Sequence, residues 1–109
     1  MKIKAAVLRE LNKPLTVEEL ELDEPKSNEV LVKIEAFGVC HSDYHVVTGL
    51  AKQELPVVLG HEGAGTVVQV GEKVTNVEVG QNVLLNWFPY CKQCPQCFAG
   101  NTNHCKTYM

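Results

Sequence analysis

Thiol, imidazole, hydroxyl and carboxylate side chains concentrate between residues 40 and 62 of this 109-residue chain. The stretch opens Cys40-His41-Ser42-Asp43-Tyr44-His45 and closes Gly60-His61-Glu62. Zinc takes thiolate and imidazole ligands together, and a catalytic zinc has three protein ligands and one open position. Cys40 and His61 are therefore candidates for two of those ligands. The alternative is that Cys40 is a small buried apolar residue and His61 a core histidine whose hydrogen bonds are satisfied.

A second concentration of sulfur lies near the end of the chain, where Cys91-x-x-Cys94-x-x-Cys97 is followed by Cys105. Four thiolates at this spacing predict a closed, tetrahedral zinc site of the structural kind. The surrounding segment has too few apolar residues to hold its own shape, so metal binding would supply the folding free energy.

Two other readings of these four cysteines stay open. An iron–sulfur cluster is one, but the ferredoxin pattern places its fourth cysteine three residues after the third and follows it with proline. Here seven residues intervene and Lys106 follows Cys105. Disulfide pairing is the other.

Composition indicates one globular domain. Apolar residues make up 45% and charged residues 21% of the chain, close to globular averages. A net charge of −3 argues against a nucleic-acid partner, because such proteins concentrate Lys and Arg on one face. No apolar run reaches the roughly 18 residues of a membrane span, and the opening residues are too short for a secretory signal. Five cysteines, four of them clustered, fit a secreted disulfide framework poorly, so we expect a cytoplasmic protein.

The elements that must position these side chains are mostly strands. Apolar runs and alternation predict strands over residues 3–8, 15–22, 30–36, 57–59, 66–70 and 83–85, and one short helix over 41–48 that stops at Gly49. The phase of the second strand slips at Glu18-Glu19, which predicts a bulge. Residues 30–36 should be half-buried at period two, and residues 57–59 buried. Gly60, Gly63 and Gly65 indicate close backbone approach, not a phosphate-binding loop.

Short strands with regular turns favour a β sandwich or barrel, and a resemblance makes this more definite. The stretches Gly38-Val39-Cys40-His41-Ser42-Asp43, Gly60-His61-Glu62-Gly63-Ala64-Gly65 and Val70-Gly71, with the four later cysteines, resemble the amino-terminal half of the medium-chain zinc-dependent alcohol dehydrogenases. The resemblance covers nearly the whole chain. It implies a mainly β fold, a GroES-like partly open β-barrel with short helices and a zinc-bearing loop lobe. Residues 1–109 would be the catalytic domain and residues 91–105 the lobe holding a non-catalytic zinc.

The same resemblance implies a second, catalytic metal centre. Cys40 and His61 match two ligands of a catalytic zinc, and Glu62 matches a residue that lies close to that ion. Asp43 matches the carboxylate that orients a metal-bound imidazole, here His61. In the family the third protein ligand is a cysteine later in the chain, so this catalytic site would be incomplete within 109 residues.

Further roles implied by the resemblance concern the proton and the cofactor. Ser42 matches the residue that takes the alcohol proton, and His45 the histidine that passes it to solvent through the cofactor ribose. His41 falls where many members have a basic residue facing the cofactor pyrophosphate. Trp87 falls where an aromatic residue often lines the substrate pocket. Other readings are a helix N-cap for Ser42, an exposed helix position for His45 and a core aromatic for Trp87.

The resemblance therefore implies a zinc-dependent oxidoreductase that converts a primary or secondary alcohol to an aldehyde or ketone by hydride transfer to NAD or NADP. The nicotinamide-binding domain is expected outside these residues, so we expect the 109-residue chain alone to be inactive. A homo-oligomer is compatible with the sequence. The alternative from another class is a zinc-stapled β-barrel that binds or scaffolds without catalysis. A zinc-free quinone reductase is disfavoured, because that group lacks the four-cysteine lobe.

Overall fold

Two antiparallel three-stranded sheets form the framework in a computed structural model, which describes residues 1–108. The elements are β1 (Lys2–Leu8), β2 (Thr16–Glu21), β3 (Val30–Phe37), α1 (His41–Val47), β4 (Val57–Val58), β5 (Gly63–Val70), β6 (Asn82–Leu84), α2 (Pro95–Phe98) and a 3₁₀ turn at Thr102–His104. One sheet has the order β2-β1-β4 and the other β3-β5-β6. The predicted mainly β class with short helices is confirmed. Met109, the last residue of the predicted domain, lies outside the described residues.

The first sheet is built on a regular hairpin between β1 and β2. Pairing runs without interruption from Lys2 opposite Glu21 to Val7 opposite Thr16, so the predicted bulge at Glu18-Glu19 is wrong. The alternation slips because Glu18 takes a position on the same side of the strand as Leu20. There its carboxylate accepts a hydrogen bond of 2.8 Å from Arg9 Nε. Arg9 thus provides a partner for a charged side chain at a position where the alternation predicts an apolar residue.

The second sheet carries the irregularities that the first one lacks. Register shifts occur in β3 between Leu31 and Val32 and between Ile34 and Ala36. These shifts break the period of two, so the predicted half-burial holds for Val30 and Val32 but is wrong for Ile34 and Ala36, which are exposed. In β5 the predicted close backbone approach is present at Gly65, where an added Cβ would lie 2.0 Å from the Lys33 carbonyl oxygen.

The short strand β4 pairs with the end of β1, where Val7 lies opposite Val58 and Leu8 opposite Val57. The run from Val57 to Leu59 was predicted to be buried, which is wrong, because Val58 is half exposed. Successive strand residues point to opposite faces of the sheet, so Val57 is half-buried on one face and Val58 is exposed on the other. The pairing of β4 with β1 fixes the position of the residues that follow it, including residues 60–62.

The core is small for a chain of this size. The buried apolar side chains among residues 1–108 are Val7, Leu8, Val67 and Cys105. The accessible surface is 8460 Å², whereas a monomeric protein of this mass is expected to expose about 6,000 Å². Large apolar side chains contribute to the excess, and Phe37, Leu84 and Phe98 are each more than 70% exposed. No helix among the described residues has the length and apolar character that crossing a bilayer requires.

Candidate metal centres

Cys40 is positioned by the end of β3 and the start of α1. It is the N-cap residue of the helix and has extended backbone angles of φ −100° and ψ 143°. Ser42 lies inside the first helical turn, so the alternative reading of Ser42 as the N-cap is wrong. The helix is followed by Thr48 as C-cap and then by Gly49 with φ +78°, which confirms the predicted stop.

His61 is brought to Cys40 by the pairing of β3 with β5. Because these strands are antiparallel and Phe37 lies opposite Gly63, the residues that follow β3 and those that precede β5 lie at the same end of the sheet. The amide of Gly38 donates a hydrogen bond of 2.9 Å to the carbonyl of Glu62, which ties the two segments together. A φ of +119° at Gly60, a conformation that favours glycine, turns the chain into this position.

The ligand atoms of Cys40, His61 and Glu62 lie within 4.8 Å of one another. Sulfur, imidazole nitrogen and carboxylate oxygen are all zinc ligands, and three protein ligands are the number found at catalytic zinc sites. The three donors therefore fit one zinc ion. We call this set the central cluster.

Asp43 lies on the far side of the imidazole. Its Oδ1 is 3.2 Å from His61 Nδ1, and both side chains are about four-fifths shielded from solvent. A histidine that binds a metal through one ring nitrogen almost always donates the other N–H to a carboxylate, carbonyl or water. Because Nδ1 is engaged by Asp43, Nε2 is the ring nitrogen through which His61 could bind a metal.

Ser42 touches two members of the central cluster. Its hydroxyl donates to Cys40 Sγ at 3.2 Å and lies 3.4 Å from His61 Nε2. This hydroxyl lowers the pKa of the Cys40 thiol, with further hydrogen bonds from the Ser42 backbone and His61. The contact with Cys40 raises the pKa of His61, and Asp43 adds to that effect. The thiolate, which is the form that binds metal, is thus favoured at residue 40.

The remaining predicted residues on α1 lie beside one another. His41 Nδ1 is 3.1 Å from His45 Nε2, and the two rings are 4.8 Å apart at an angle of 83°. His41 also packs edge-on against Tyr44. The two histidines contact each other in this arrangement.

Trp87 packs over His61, with ring centroids 4.9 Å apart and planes inclined by 33°. The indole remains 62% exposed, so the reading of Trp87 as a buried core aromatic is wrong. Its position next to a metal-ligand candidate gives the central cluster one apolar wall.

The second cluster joins Cys91, Cys94, Cys97 and Cys105, whose sulfur atoms all lie within 4.8 Å of one another. The Sγ atoms of Cys91 and Cys97 are 3.9 Å apart. Four sulfurs placed tetrahedrally about 2.3 Å from zinc would be separated by about 3.8 Å. Disulfide sulfurs lie about 2.05 Å apart, and all five cysteines of the chain are free. A cluster of several irons would sit between the sulfurs and hold them further apart, so the spacing fits one ion.

The electrostatics of the cysteine lobe also fit a bound cation. Hydrogen bonds from Thr107 and from the Gln93 amide lower the pKa of Cys91 to about 6. Burial raises the pKa of Cys97 to about 11, and the neighbouring Cys94 thiol adds to that rise. At neutral pH the thiolate form is therefore favoured at Cys91 and the thiol form at Cys97. A zinc ion removes this conflict, because it neutralises the thiolates that it binds.

The alcohol dehydrogenase GroES-like domain family matches residues 26–109. The chain belongs to that family. The Drosophila melanogaster alcohol dehydrogenase class-3 is 49% identical over 104 residues, which are 94% of this chain and 27% of that protein. The GroES-like domain described here therefore spans under a third of the length of this relative.

Two solved structures extend the comparison. A thermostable alcohol dehydrogenase from Pyrobaculum aerophilum with bound cobalt and zinc matches with a TM-score of 0.89 and 34% identity, over 99% of this chain and 33% of that chain. A zinc-binding dehydrogenase from Sinorhizobium meliloti with bound NADP matches with a TM-score of 0.80 and 35% identity, over 97% and 31%. These matches and the family confirm the GroES-like fold that the resemblance implies.

Sequence reasoning missed one feature of the central cluster. Gly38 has no functional group, but a Cβ added to it would lie 2.2 Å from Glu62 Oε2. The absence of a side chain at residue 38 thus leaves room for the carboxylate beside Cys40 and His61. Gly38 and Glu62 meet only because β3 pairs with β5, so the local pattern Gly38-x-Cys40 does not predict this contact.

Proposed function

We propose that residues 1–109 form the catalytic domain of a zinc-dependent alcohol dehydrogenase, with residues 91–105 as its structural zinc lobe. The observation that supports this most is the central cluster, in which Cys40, His61 and Glu62 converge within 4.8 Å. The hydroxyl of Ser42 lies beside two of these three residues. A hydroxyl that contacts two metal-ligand candidates is placed to take part in proton transfer, which supports a catalytic role for this centre.

The proposed substrate is a primary or secondary alcohol, and the proposed cofactor is NAD or NADP held by a further domain of a longer polypeptide. When bound, zinc supplies Lewis acidity that polarises the substrate hydroxyl. Asp43 orients the His61 ring, and Trp87 shields one side of it. These two contacts hold the His61 ring in one orientation, so a zinc ion bound to it would present the alcohol in a fixed position.

The proton of the alcohol is assigned to Ser42. Its Oγ would accept the proton and release its own toward the histidines of α1. His45 Nε2, 3.1 Å from His41 Nδ1, can hold a proton shared with its neighbour before it reaches water. His41 is also the proposed contact of the cofactor pyrophosphate.

Activity is tested with a chimera, in which residues 1–109 replace the matching segment of the Drosophila class-3 enzyme. We expect reduction of NAD or NADP that depends on a primary alcohol. Ser42→Ala should lower kcat about 10²- to 10⁴-fold, the range for a lost proton-transfer group. His104→Ala, at an exposed position of the 3₁₀ turn, is the control and should leave the rate unchanged. An active chimera that tolerates Ser42→Ala would refute the assigned role.

Metal analysis of the 109-residue chain separates catalysis from the alternative of a zinc-stapled module. We expect one tightly held zinc in the lobe and less than one in the central cluster, where the ligands are fewer and more exposed. His61→Ala should remove the weaker zinc and change the melting temperature little. A large loss of stability with unchanged metal content would favour the module.

A further inference from the structure

Apart from the two cysteine-containing clusters, one pair of metal-binding side chains stands out on α1. His41 and His45 are four residues apart, a spacing that places side chains next to each other on a helix. Their facing nitrogens, Nδ1 of His41 and Nε2 of His45, are 3.1 Å apart. No residue of the central cluster belongs to this pair.

The separation of the two nitrogens fits a shared metal ion. With metal–nitrogen distances of about 2.0–2.1 Å, two neighbouring ligands would lie about 3.0 Å apart in an octahedral site and about 3.4 Å apart in a tetrahedral one. The observed 3.1 Å falls between these values. The same distance suits an N–H···N hydrogen bond, so a metal ion would compete with one shared proton for this pair, and small rotations of the two rings would turn their lone pairs toward the ion.

Access and charge also favour a cation at this position. His41 is exposed and His45 half-buried, so an ion can enter from solvent and keep water on its remaining positions. The chain carries a net charge of −3. In the central cluster the Cys40 thiolate and the Glu62 carboxylate would offset a zinc ion held there, so a second divalent ion would face little repulsion.

We propose that His41 and His45 form a third metal site, which binds one exchangeable divalent transition-metal ion through two imidazole nitrogens. Affinity should follow the general order for nitrogen ligands, with Cu²⁺ and Ni²⁺ ahead of Co²⁺ and Mn²⁺. A consequence that rests on the proposed function is reversible inhibition, because an ion on His45 Nε2 occupies the atom assigned to proton release. The site itself does not depend on that function.

The test counts nickel on the full 109-residue chain after it has been saturated with zinc and desalted. Equilibrium dialysis against Ni²⁺, followed by elemental analysis of both metals, should give one added nickel per chain and no loss of zinc. His41→Gln and His45→Gln should each weaken nickel binding at least about tenfold, since linked ligands typically gain 10²- to 10⁴-fold over single ones. His104→Gln, which removes an exposed histidine from a different turn, should bind nickel as the unaltered chain does.

A second measurement is independent of the variants. Bound Ni²⁺ is paramagnetic in octahedral coordination, so it should broaden the ring signals of His41 and His45 in the NMR spectrum and spare those of His104. Circular dichroism checks that the glutamine variants keep the fold. Equal nickel binding by the three variants, nickel bound only in exchange for zinc, or broadening confined to His104 would overturn the proposal.

Discussion

Removal of the Asp43 carboxylate tests whether the central cluster is built around a metal-bound His61. Asp43 Oδ1 lies 3.2 Å from His61 Nδ1, and neither side chain is more than about one-fifth exposed. Loss of such a partner of a metal-bound histidine typically lowers metal affinity 10- to 100-fold. Asp43→Asn keeps an acceptor oxygen and removes the charge, so we expect a loss of about tenfold. Asp43→Ala removes both, so the loss should approach about a hundredfold.

The assay is zinc competition with a chromophoric chelator on the 109-residue chain. Release should occur in two steps, with the central cluster first and the four-thiol lobe second. In the Asp43 variants, zinc should leave the central cluster at a lower chelator concentration, and its release from the lobe should be unchanged. Asp23→Ala, which deletes an exposed loop carboxylate and changes the net charge equally, is the matched control. An unchanged first step in Asp43→Ala, or an equal shift of both steps, would refute the reasoning.

Two further predictions concern single side chains. Gly38→Ala should lower the zinc affinity of the central cluster about as much as Glu62→Gln does, because the new methyl group would displace the flexible end of Glu62. The melting temperature should change little. Full zinc affinity in Gly38→Ala would contradict this prediction. Glu18→Gln should lower the melting temperature slightly at pH 7. The Arg9 hydrogen bond, with help from Thr16, lowers the pKa of Glu18 from 4.5 to about 2, so this stabilisation is present above about pH 4.5 and is lost as the pH falls toward 2. Thermal melts across that range should show the difference in melting temperature between Glu18→Gln and the unaltered chain shrinking as the pH falls. Glu72→Gln, at an exposed turn position, is the control. A difference in melting temperature that stays constant with pH would contradict this assignment.

Features set by local sequence could be predicted. The helix that begins at His41 and ends before Gly49, and the sulfur cluster of residues 91–105, depend on residues close together in the chain. The strand positions followed from apolar periodicity for the same reason. Family resemblance supplied the GroES-like arrangement of those strands, which periodicity does not contain.

Features set by contacts between distant segments could not be predicted. Glu18 occupies an inward position because Arg9 meets it across the hairpin, and no local pattern encodes that partner. Trp87 is exposed because it lies over His61 and not beneath a sheet. The contact of His41 with His45 is different, since their spacing of four residues within a predicted helix was a usable signal.

The two clusters differ in how far apart their ligands lie along the chain. The lobe draws its four sulfurs from a single span of fifteen residues, whereas Cys40 and His61 meet only after β3 has paired with β5. Closing a short loop around an ion costs little chain entropy and needs no finished sheet. A nascent chain could therefore bind zinc in the lobe once residue 105 has left the ribosome, whereas the central cluster exists only after the two strands have paired. If both clusters bind zinc as proposed, the lobe would therefore be filled before the central cluster. A cell short of zinc would then accumulate folded molecules that hold an ion in the lobe and lack one in the central cluster.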